Sequence, residues 1–244
     1  MRFLVFQHAR VEHPAAFRAL IEGAGHTWHP VHLDEGEPVP PLSAMSEYDA
    51  LWVMGGPMDV WDEDEHPWLI PEKAFVAEAV KRKMPFFGLC FGHQVLAEAL
   101  GGKCGPGTPE VGIMDVGLTD DGRASPFLVG MSDPIVSLQW HGAEVKEVPA
   151  TAKVLASSPV CPIQAISVGD FAFSAQFHME LEHDTVDNWA AIPAYKARLD
   201  KAFGEGGVDR LRAQCAAKMA DFNADALTIW TNWCAATGLA ARAA

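Results

Sequence analysis

Short apolar runs alternate with helix-like segments along the first half of the chain. The apolar runs are RFLVFQ, YDALWVMGG and MPFFGLC, with a weaker one at TWHPVHL, and the segments between them include PAAFRALIEGAG and EKAFVAEAVKRK. Strands that alternate with helices in this way are typical of a parallel sheet covered by helices. The pattern predicts an α/β fold of three layers around a mostly parallel open sheet.

After about residue 110 the helical period fades, and strand-like runs such as PIVSLQW, QAISVG and FAFSAQFH follow one another. Antiparallel strands are expected there. From Asp184 the sequence becomes Ala-rich and helical, with tryptophans at 189, 230 and 233 that are too apolar for a free tail. We predict a catalytic domain at residues 1–183 and a helical extension at residues 184–244 that packs on this domain or on a second subunit, as in a homodimer.

The balance of charged residues bears on which macromolecules the protein can bind. Of 244 residues, 18 are Lys or Arg and 32 are Asp or Glu, which gives a formal net charge of −14. A chain this acidic repels phosphate backbones, so we expect no nucleic-acid partner. Hydrophobic residues at 49% and charged residues at 20% are ordinary for a globular protein with a real core.

The pattern of cysteines and the length of the apolar segments bear on the cellular compartment of the protein. The five cysteines form no C-x-x-C pair, so neither a disulfide framework nor a thiolate zinc site is indicated. The apolar run FLVF after Arg2 is too short for a signal-peptide core, and no stretch approaches the roughly 20 apolar residues of a membrane-spanning helix. We expect a cytoplasmic protein with reduced thiols and no membrane partner.

The segment MPFFGLCFGHQVLAEAL predicts a buried strand that turns sharply into a helix at Cys90. Gly88 and Gly92 stand two positions either side, where they remove side chains that would collide in such a turn. A thiol at a helix N-terminus is favoured in its thiolate form, which can attack a carbonyl carbon. Taken alone, Gly-x-Cys-x-Gly is equally consistent with a structural cysteine.

Candidates for an oxyanion hole and for a base lie elsewhere in the chain. The strand YDALWVMGGPM ends in Gly55-Gly56-Pro57, which is either a plain turn or a place where a backbone N–H can approach a substrate oxygen. We assign the oxyanion hole to the amides of Gly56 and Phe91. His178 and Glu180 can lie on one side of an extended segment, so the carboxylate can orient the imidazole. A surface pair is the alternative.

Three segments together resemble the class I glutamine amidotransferases. They are the cysteine motif at Gly88 to Gln94, the glycine-rich strand end at Gly55 to Pro57, and the His-x-Glu motif at Gln176 to Glu180. The three motifs stand in the family's order over roughly residues 1 to 182, which is a specific match. The resemblance implies the family's fold, a flavodoxin-like three-layer sheet.

The resemblance also implies a reaction. The side-chain amide of glutamine would be hydrolysed through a γ-glutamyl thioester on Cys90, with ammonia released and with no cofactor or metal required. His178 would be the acid and base, Glu180 would orient it, and Gln94 would help to bind the glutamyl group. The nearest part of the family by resemblance is the amidotransferase part of GMP synthase.

That closer likeness rests on Gln139-Trp140-His141-Gly142 and on LASS followed by Gln164-Ala165. It completes a set of substrate-binding candidates: Gln94, Gly55, Gln139, Trp140 and His141. Two positions depart from the family pattern. Met179 stands where proline is usual, which would loosen the His178 loop, and Ala143 stands where relatives often carry aspartate, which puts the usual substrate contacts in doubt.

Three functions remain open on the sequence. The chain is an ammonia-donating subunit for a separate synthase partner, an independent hydrolase or transferase of γ-glutamyl amides or peptides, or a binding module without turnover. The intact Cys90, His178 and Glu180 disfavour the last, and the apolar extension slightly favours the second. No phosphate-binding glycine motif occurs, and the histidines at 26, 29 and 32 alternate between strand faces, so no nucleotide or metal site is expected.

Overall fold

A mixed sheet of nine strands forms the centre of the computed structural model, which describes residues 1–239. The strands are β1 (Arg2–Gln7), β2 (Thr27–His32), β3 (Ala50–Val53), β4 (Phe86–Leu89), β5 (Lys103–Leu118), β6 (Ile135–Glu147), β7 (Lys153–Ser157), β8 (Ala165–Val168) and β9 (Ala172–Ala175). The helices are α1 (Phe17–Gly23), α2 (Leu69–Lys81), α3 (Phe91–Ala99), α4 (Asp120–Arg123), α5 (Thr185–Ala190), α6 (Pro193–Phe203) and α7 (Gly207–Thr237).

The strand order across the sheet is β2-β1-β3-β4-β9-β8-β7-β5-β6. Strands β2, β1, β3, β4 and β9 pair in parallel, and the pairings from β9 to β6 are antiparallel. The predicted α/β class and the antiparallel second half are confirmed. The antiparallel part is as wide as the parallel part because the long hairpin of β5 and β6 joins the sheet through β7.

Alternate residues of the central strands face two separate hydrophobic layers. On β1, Phe3 and Val5 pack with α1 and α7, whereas Leu4 and Phe6 pack with α2 and α3. Both faces of the parallel strands are therefore buried, which explains why these strands appear in the sequence as unbroken apolar runs. This arrangement confirms the three-layer prediction.

The C-terminal helices α5, α6 and α7 pack on the sheet of the same chain. Trp233 of α7 lies edge-on to Trp52 with ring centroids 5.5 Å apart, and its indole N–H donates to the Phe86 carbonyl at 2.9 Å. Trp189 of α5 and Tyr195 of α6 share a second cluster with Trp140 of β6. Residues 240–244 of the predicted extension lie outside the described residues. Residues 1–239 contain no helix with the length and hydrophobicity that a membrane crossing needs.

Candidate active site

Cys90 occupies the sharp turn between β4 and α3. Its φ is +51°, a strained value for a residue with a side chain, and its N–H donates to the Ala175 carbonyl at 2.8 Å. A Cβ on Gly88 would lie 2.7 Å from the Gly92 carbonyl oxygen, and a Cβ on Gly92 would lie 2.0 Å from the Val53 carbonyl oxygen. Neither position has room for a side chain, so the two glycines allow the turn that presents the thiol.

His178 and Glu180 form a buried pair directly after β9. His178 Nδ1 lies 2.6 Å from Glu180 Oε1, and both side chains are almost fully buried. The backbone of His178 pairs with Leu138 of β6 in both directions, at 2.9 and 3.0 Å. Met179 makes contacts of its own in this segment: its N–H donates to Glu180 Oε2 at 2.9 Å and its side chain is fully buried. Proline at that position would lack this donor.

The charge state of His178 follows from its neighbours. Burial lowers its pKa, but the Glu180 carboxylate and Cys90 outweigh burial and hold the pKa well above the usual 6.5. The Trp189 ring of α5 packs against the imidazole with centroids 4.6 Å apart. A protonated imidazole beside a thiol favours the thiolate form of that thiol.

A chain of side-chain amides leads to the sulfur. Gln176 donates from Nε2 to Cys90 Sγ at 3.4 Å, and Gln94 donates from Nε2 to Gln176 Oε1 at 3.1 Å. Gln94 Nε2 also donates to the Ala143 carbonyl oxygen at 3.3 Å, so Ala143 contributes its backbone at this position. These contacts orient the side chain of Gln94 at the cavity wall.

The glycine-rich strand end is held from behind by a buried pair, His8 and Glu72. His8 Nδ1 lies 3.1 Å from the Gly55 carbonyl oxygen, and His8 Nε2 lies 2.8 Å from Glu72 Oε1. Burial lowers the pKa of His8, yet Glu72 and the Gly55 carbonyl raise it overall, so both nitrogens can donate. In a trans peptide the C=O and the next N–H point in opposite directions, so this contact turns the Gly56 N–H away from His8.

A small cavity of about 10 Å³ lies at Cys90, with room for roughly one water molecule. Its lining consists of Gly56, Met58, Asp59, Cys90, Phe91, Gln94, Trp140, His141, Gly142, Ala143 and Arg198. The predicted residues Gly56, Phe91, Gln94, Trp140 and His141 are thus brought together around the thiol.

Four predicted residues are absent from the lining: His178 and Glu180, which form the buried pair described above, and the substrate-binding candidates Gly55 and Gln139. Gly55 lies behind Gly56, where a Cβ would meet Glu12 Oε2 at 2.4 Å. Gln139 is fully buried and donates from Nε2 to Gln164 Oε1 at 3.3 Å. Their contacts are with the protein interior and not with the cavity.

The extension supplies residues that sequence reasoning missed. The Tyr195 hydroxyl donates to Glu12 Oε1 at 2.5 Å, and the Trp140 indole donates to the Tyr195 carbonyl at 3.2 Å. Burial raises the pKa of Glu12, with His178 and Tyr195 acting in the opposite direction, so this carboxyl belongs to the same buried group. The only sequence signal was the aromatic content of the extension.

Four other cysteines lie outside this cavity. Burial raises the pKa of the thiols of Cys161, Cys215 and Cys234 to about 12, and burial together with Glu98 raises that of Cys104 further. These thiols are neutral at physiological pH. Cys90 is the only cysteine of residues 1–239 that lines this cavity.

One buried group has donor types that suit a metal ion. Donor atoms of Glu110, His141 and Cys161 lie within 4.8 Å of one another, and His141 Nε2 is 3.2 Å from Glu110 Oε2. Tetrahedral zinc would bring such atoms to about 3.5 Å from one another. The sequence pattern predicted no metal, since these three residues are far apart in the chain. As it stands, the group is a contact between an imidazole and a carboxylate beside a neutral thiol.

Comparisons with a family model and with known proteins point to the same family. The model of the family described as glutamine amidotransferase class-I matches residues 23–189. The glutamine amidotransferase-like protein YfeJ of Salmonella typhimurium is 31% identical over 193 residues, covering 77% of this chain and 79% of that protein. A glutamine-hydrolysing GMP synthase subunit from Sulfurisphaera tokodaii is 32% identical over 60% of this chain and 74% of its own length.

A peptidase and a solved structure extend this comparison. Gamma-glutamyl peptidase 3 of Arabidopsis thaliana is 28% identical over 64% of each chain. The crystal structure of a glutamine amidotransferase from Thermotoga maritima superposes with a TM-score of 0.83 at 24% identity, covering 96% of this chain and 97% of that one. At that identity the structural likeness shows the fold alone.

Proposed function

Because the chain belongs to the class I glutamine amidotransferase family, we propose that it hydrolyses the side-chain amide of glutamine, or of a γ-glutamyl amide or peptide, through a thioester on Cys90. One observation carries the proposal. The thiol of Cys90 stands on a strained turn with φ of +51°, and it is one of the groups that raise the pKa of His178, whose imidazole Glu180 holds at 2.6 Å. A buried structural cysteine requires neither a strained turn nor a neighbouring imidazole paired with a carboxylate.

The first half of the reaction forms the thioester. The Cys90 thiolate attacks the γ-carbonyl carbon, and the carbonyl oxygen becomes an oxyanion that accepts hydrogen bonds from the Gly56 and Phe91 amides. The C–N bond then breaks as His178 gives its proton to the leaving nitrogen. Ammonia leaves from glutamine, and an amine leaves from a γ-glutamyl amide.

The second half returns the enzyme to its starting state. Neutral His178 takes a proton from a water molecule, which attacks the thioester carbonyl at the same oxyanion hole. The C–S bond breaks, glutamate leaves, and the proton on His178 restores the pair with the thiolate. Glu180 moves no proton, since its role is to orient the imidazole and stabilise its cation.

Two versions of this function differ in the fate of the nitrogen. One relative is named as a subunit of GMP synthase and another as a gamma-glutamyl peptidase, so an ammonia-donating subunit and an independent hydrolase are both candidates. The packing of α6 favours the hydrolase, because Arg198 of this chain's own extension forms part of the wall of the Cys90 cavity.

Product release from a panel of substrates tests the proposal. Purified protein is incubated with L-glutamine and with γ-glutamyl amides of increasing amine size, and ammonia, amine and glutamate are measured together. Equal amounts of glutamate and amine are expected from the wild type and from Cys215→Ala, and none from Cys90→Ala. Faster turnover of larger amides than of glutamine supports the hydrolase. Absence of product from every substrate would contradict the proposal.

A further inference from the structure

Two side chains of opposite charge line the Cys90 cavity without pairing. Arg198 comes from α6 and Asp59 from the loop that follows Gly56, and both are half-buried. Within residues 1–239 neither the guanidinium nor the carboxylate makes a hydrogen bond or ion pair. Other arginines differ, since Arg18 pairs with Glu182 at 2.6 Å and Arg212 is held by Asp187. An unpaired guanidinium in a partly desolvated cavity is suited to binding an anion.

Neighbouring groups locate the two charges in the wall of the cavity. A Cβ built on Gly142 would lie 3.4 Å from Arg198 Nε and 3.7 Å from Arg198 Cζ, so the guanidinium rests against a residue of the cavity wall. Burial and Asp62 raise the pKa of Asp59, and Arg198 opposes them, which puts the guanidinium within Coulomb range of this carboxylate. The two charges share the cavity, yet they are too far apart to form a salt bridge with each other.

We infer that Arg198 binds the α-carboxylate and Asp59 the α-ammonium group of the γ-glutamyl substrate, so that the extension helix α6 selects substrates with a free amino-acid head. This inference rests on the proposed function. A γ-glutamyl group carries one negative and one positive charge on the carbon at the far end from its reactive carbonyl, which matches one cation and one anion in the cavity of a nucleophile. A planar guanidinium can bind a carboxylate through two parallel N–H donors.

The size of the cavity requires movement of its wall. At about 10 Å³ it is much smaller than a γ-glutamyl group. Arg198 and Met58 both line it, and both are long unbranched side chains that can change rotamer. Within residues 1–239 the Arg198 side chain forms no ion pair, so its rotation toward a substrate carboxylate breaks none.

The test pairs variants with trimmed substrates. kcat/KM is measured for L-glutamine, for 4-aminobutanamide, which lacks the α-carboxylate, and for glutaramate, which lacks the α-ammonium. Enzymes are the wild type, Arg198→Met and Asp59→Asn. Lys201→Met is the matched control, because Lys201 stands one turn further along α6 and does not line the Cys90 cavity.

The expected result is a selective loss. Arg198→Met should lower kcat/KM for L-glutamine by roughly 10- to 100-fold, the range for a lost charge-assisted hydrogen bond, and leave turnover of 4-aminobutanamide unchanged. Asp59→Asn should lower kcat/KM for L-glutamine by a similar factor and leave turnover of glutaramate unchanged. Lys201→Met should match the wild type on all three substrates. Equal losses on full and trimmed substrates would show a structural effect and overturn the inference alone. Absence of turnover by the wild type on all three would overturn the proposed function and the inference with it.

Discussion

His8 Nδ1 lies 3.1 Å from the carbonyl oxygen of Gly55, the residue before the proposed oxyanion donor Gly56. The other imidazole nitrogen is 2.8 Å from Glu72, and both side chains of this pair are fully buried. A Cβ on Gly56 would come within 2.8 Å of His8 Cβ, so the imidazole and the glycine strand are in close contact. The orientation of the proposed oxyanion donor thus depends on a charged pair behind it.

The His8–Glu72 pair predicts a pH-dependent stability. Burial lowers the pKa of His8, but Glu72 raises it above 6.5 overall. A raised pKa in the folded state means that the stabilisation is fully present below about pH 6.5 and is lost as pH rises through the folded-state pKa. We predict that Glu72→Gln lowers the free energy of unfolding relative to the wild type, and that this loss is larger at pH 6 than at pH 9. Denaturant titrations at both values check this, and a difference that grows with pH would contradict it.

Replacement of Gly92 should disrupt the turn that carries Cys90. A Cβ there would lie 2.0 Å from the Val53 carbonyl oxygen, which belongs to the backbone and cannot give way without moving β3. We expect Gly92→Ala to lower the free energy of unfolding by about 2 kcal/mol or more. Gly23→Ala is the control, because nothing lies within 4 Å of a Cβ at Gly23. A Gly92→Ala protein as stable as Gly23→Ala would be inconsistent with the turn described.

Removal of the extension tests the proposed division of the chain at residue 183. A fragment of residues 1–183 would lack Trp189 against His178, Tyr195 against Glu12 and Trp233 against Trp52. The apolar face under α7 would be exposed to water, so we expect aggregation or loss of activity. Size-exclusion chromatography and an ammonia assay check this. A monomeric fragment with full activity would show that the extension is dispensable.

Variants at His178 and Glu180 should separate proton transfer from orientation. His178→Ala should lower kcat/KM by roughly 10²- to 10⁴-fold, the range for loss of a general acid–base. Glu180→Gln should cost less, because the amide oxygen can still accept from Nδ1. Since Glu180 raises the pKa of His178, its replacement should also move the high-pH limit of kcat/KM to lower pH. Equal losses from the two variants, with circular dichroism showing both folded, would be the contrary result.

The sequence predicted those parts of the site that depend on local geometry. Gly88, Cys90 and Gly92 define a turn by their spacing, and His178 and Glu180 are close because an extended chain places alternate residues on one side. Each of these could be inferred without knowing what packs against it.

The remaining residues come together only through the tertiary fold. His8 stands at the end of β1 and contacts Glu72 of α2, 64 positions away, while Glu12 contacts Tyr195 across 183 positions. Isolated polar residues of this kind have no periodicity or motif that predicts a partner. Arg198 lies on a helix whose packing direction depends on the aromatic cluster beneath it, so its place in the cavity could not be predicted either.

Identification of the labelled thiol tests whether Cys90 is the nucleophile. The protein is treated with a diazoketone analogue of glutamine at neutral pH, with and without excess L-glutamine, and adducts are assigned by peptide mass spectrometry. We expect one adduct, on Cys90, that excess glutamine suppresses and that Cys90→Ala abolishes, because burial raises the thiol pKa values of Cys161, Cys215 and Cys234 to about 12. An adduct on Cys104 or Cys161, or undiminished labelling of Cys90→Ala, would show that Cys90 is not the nucleophile.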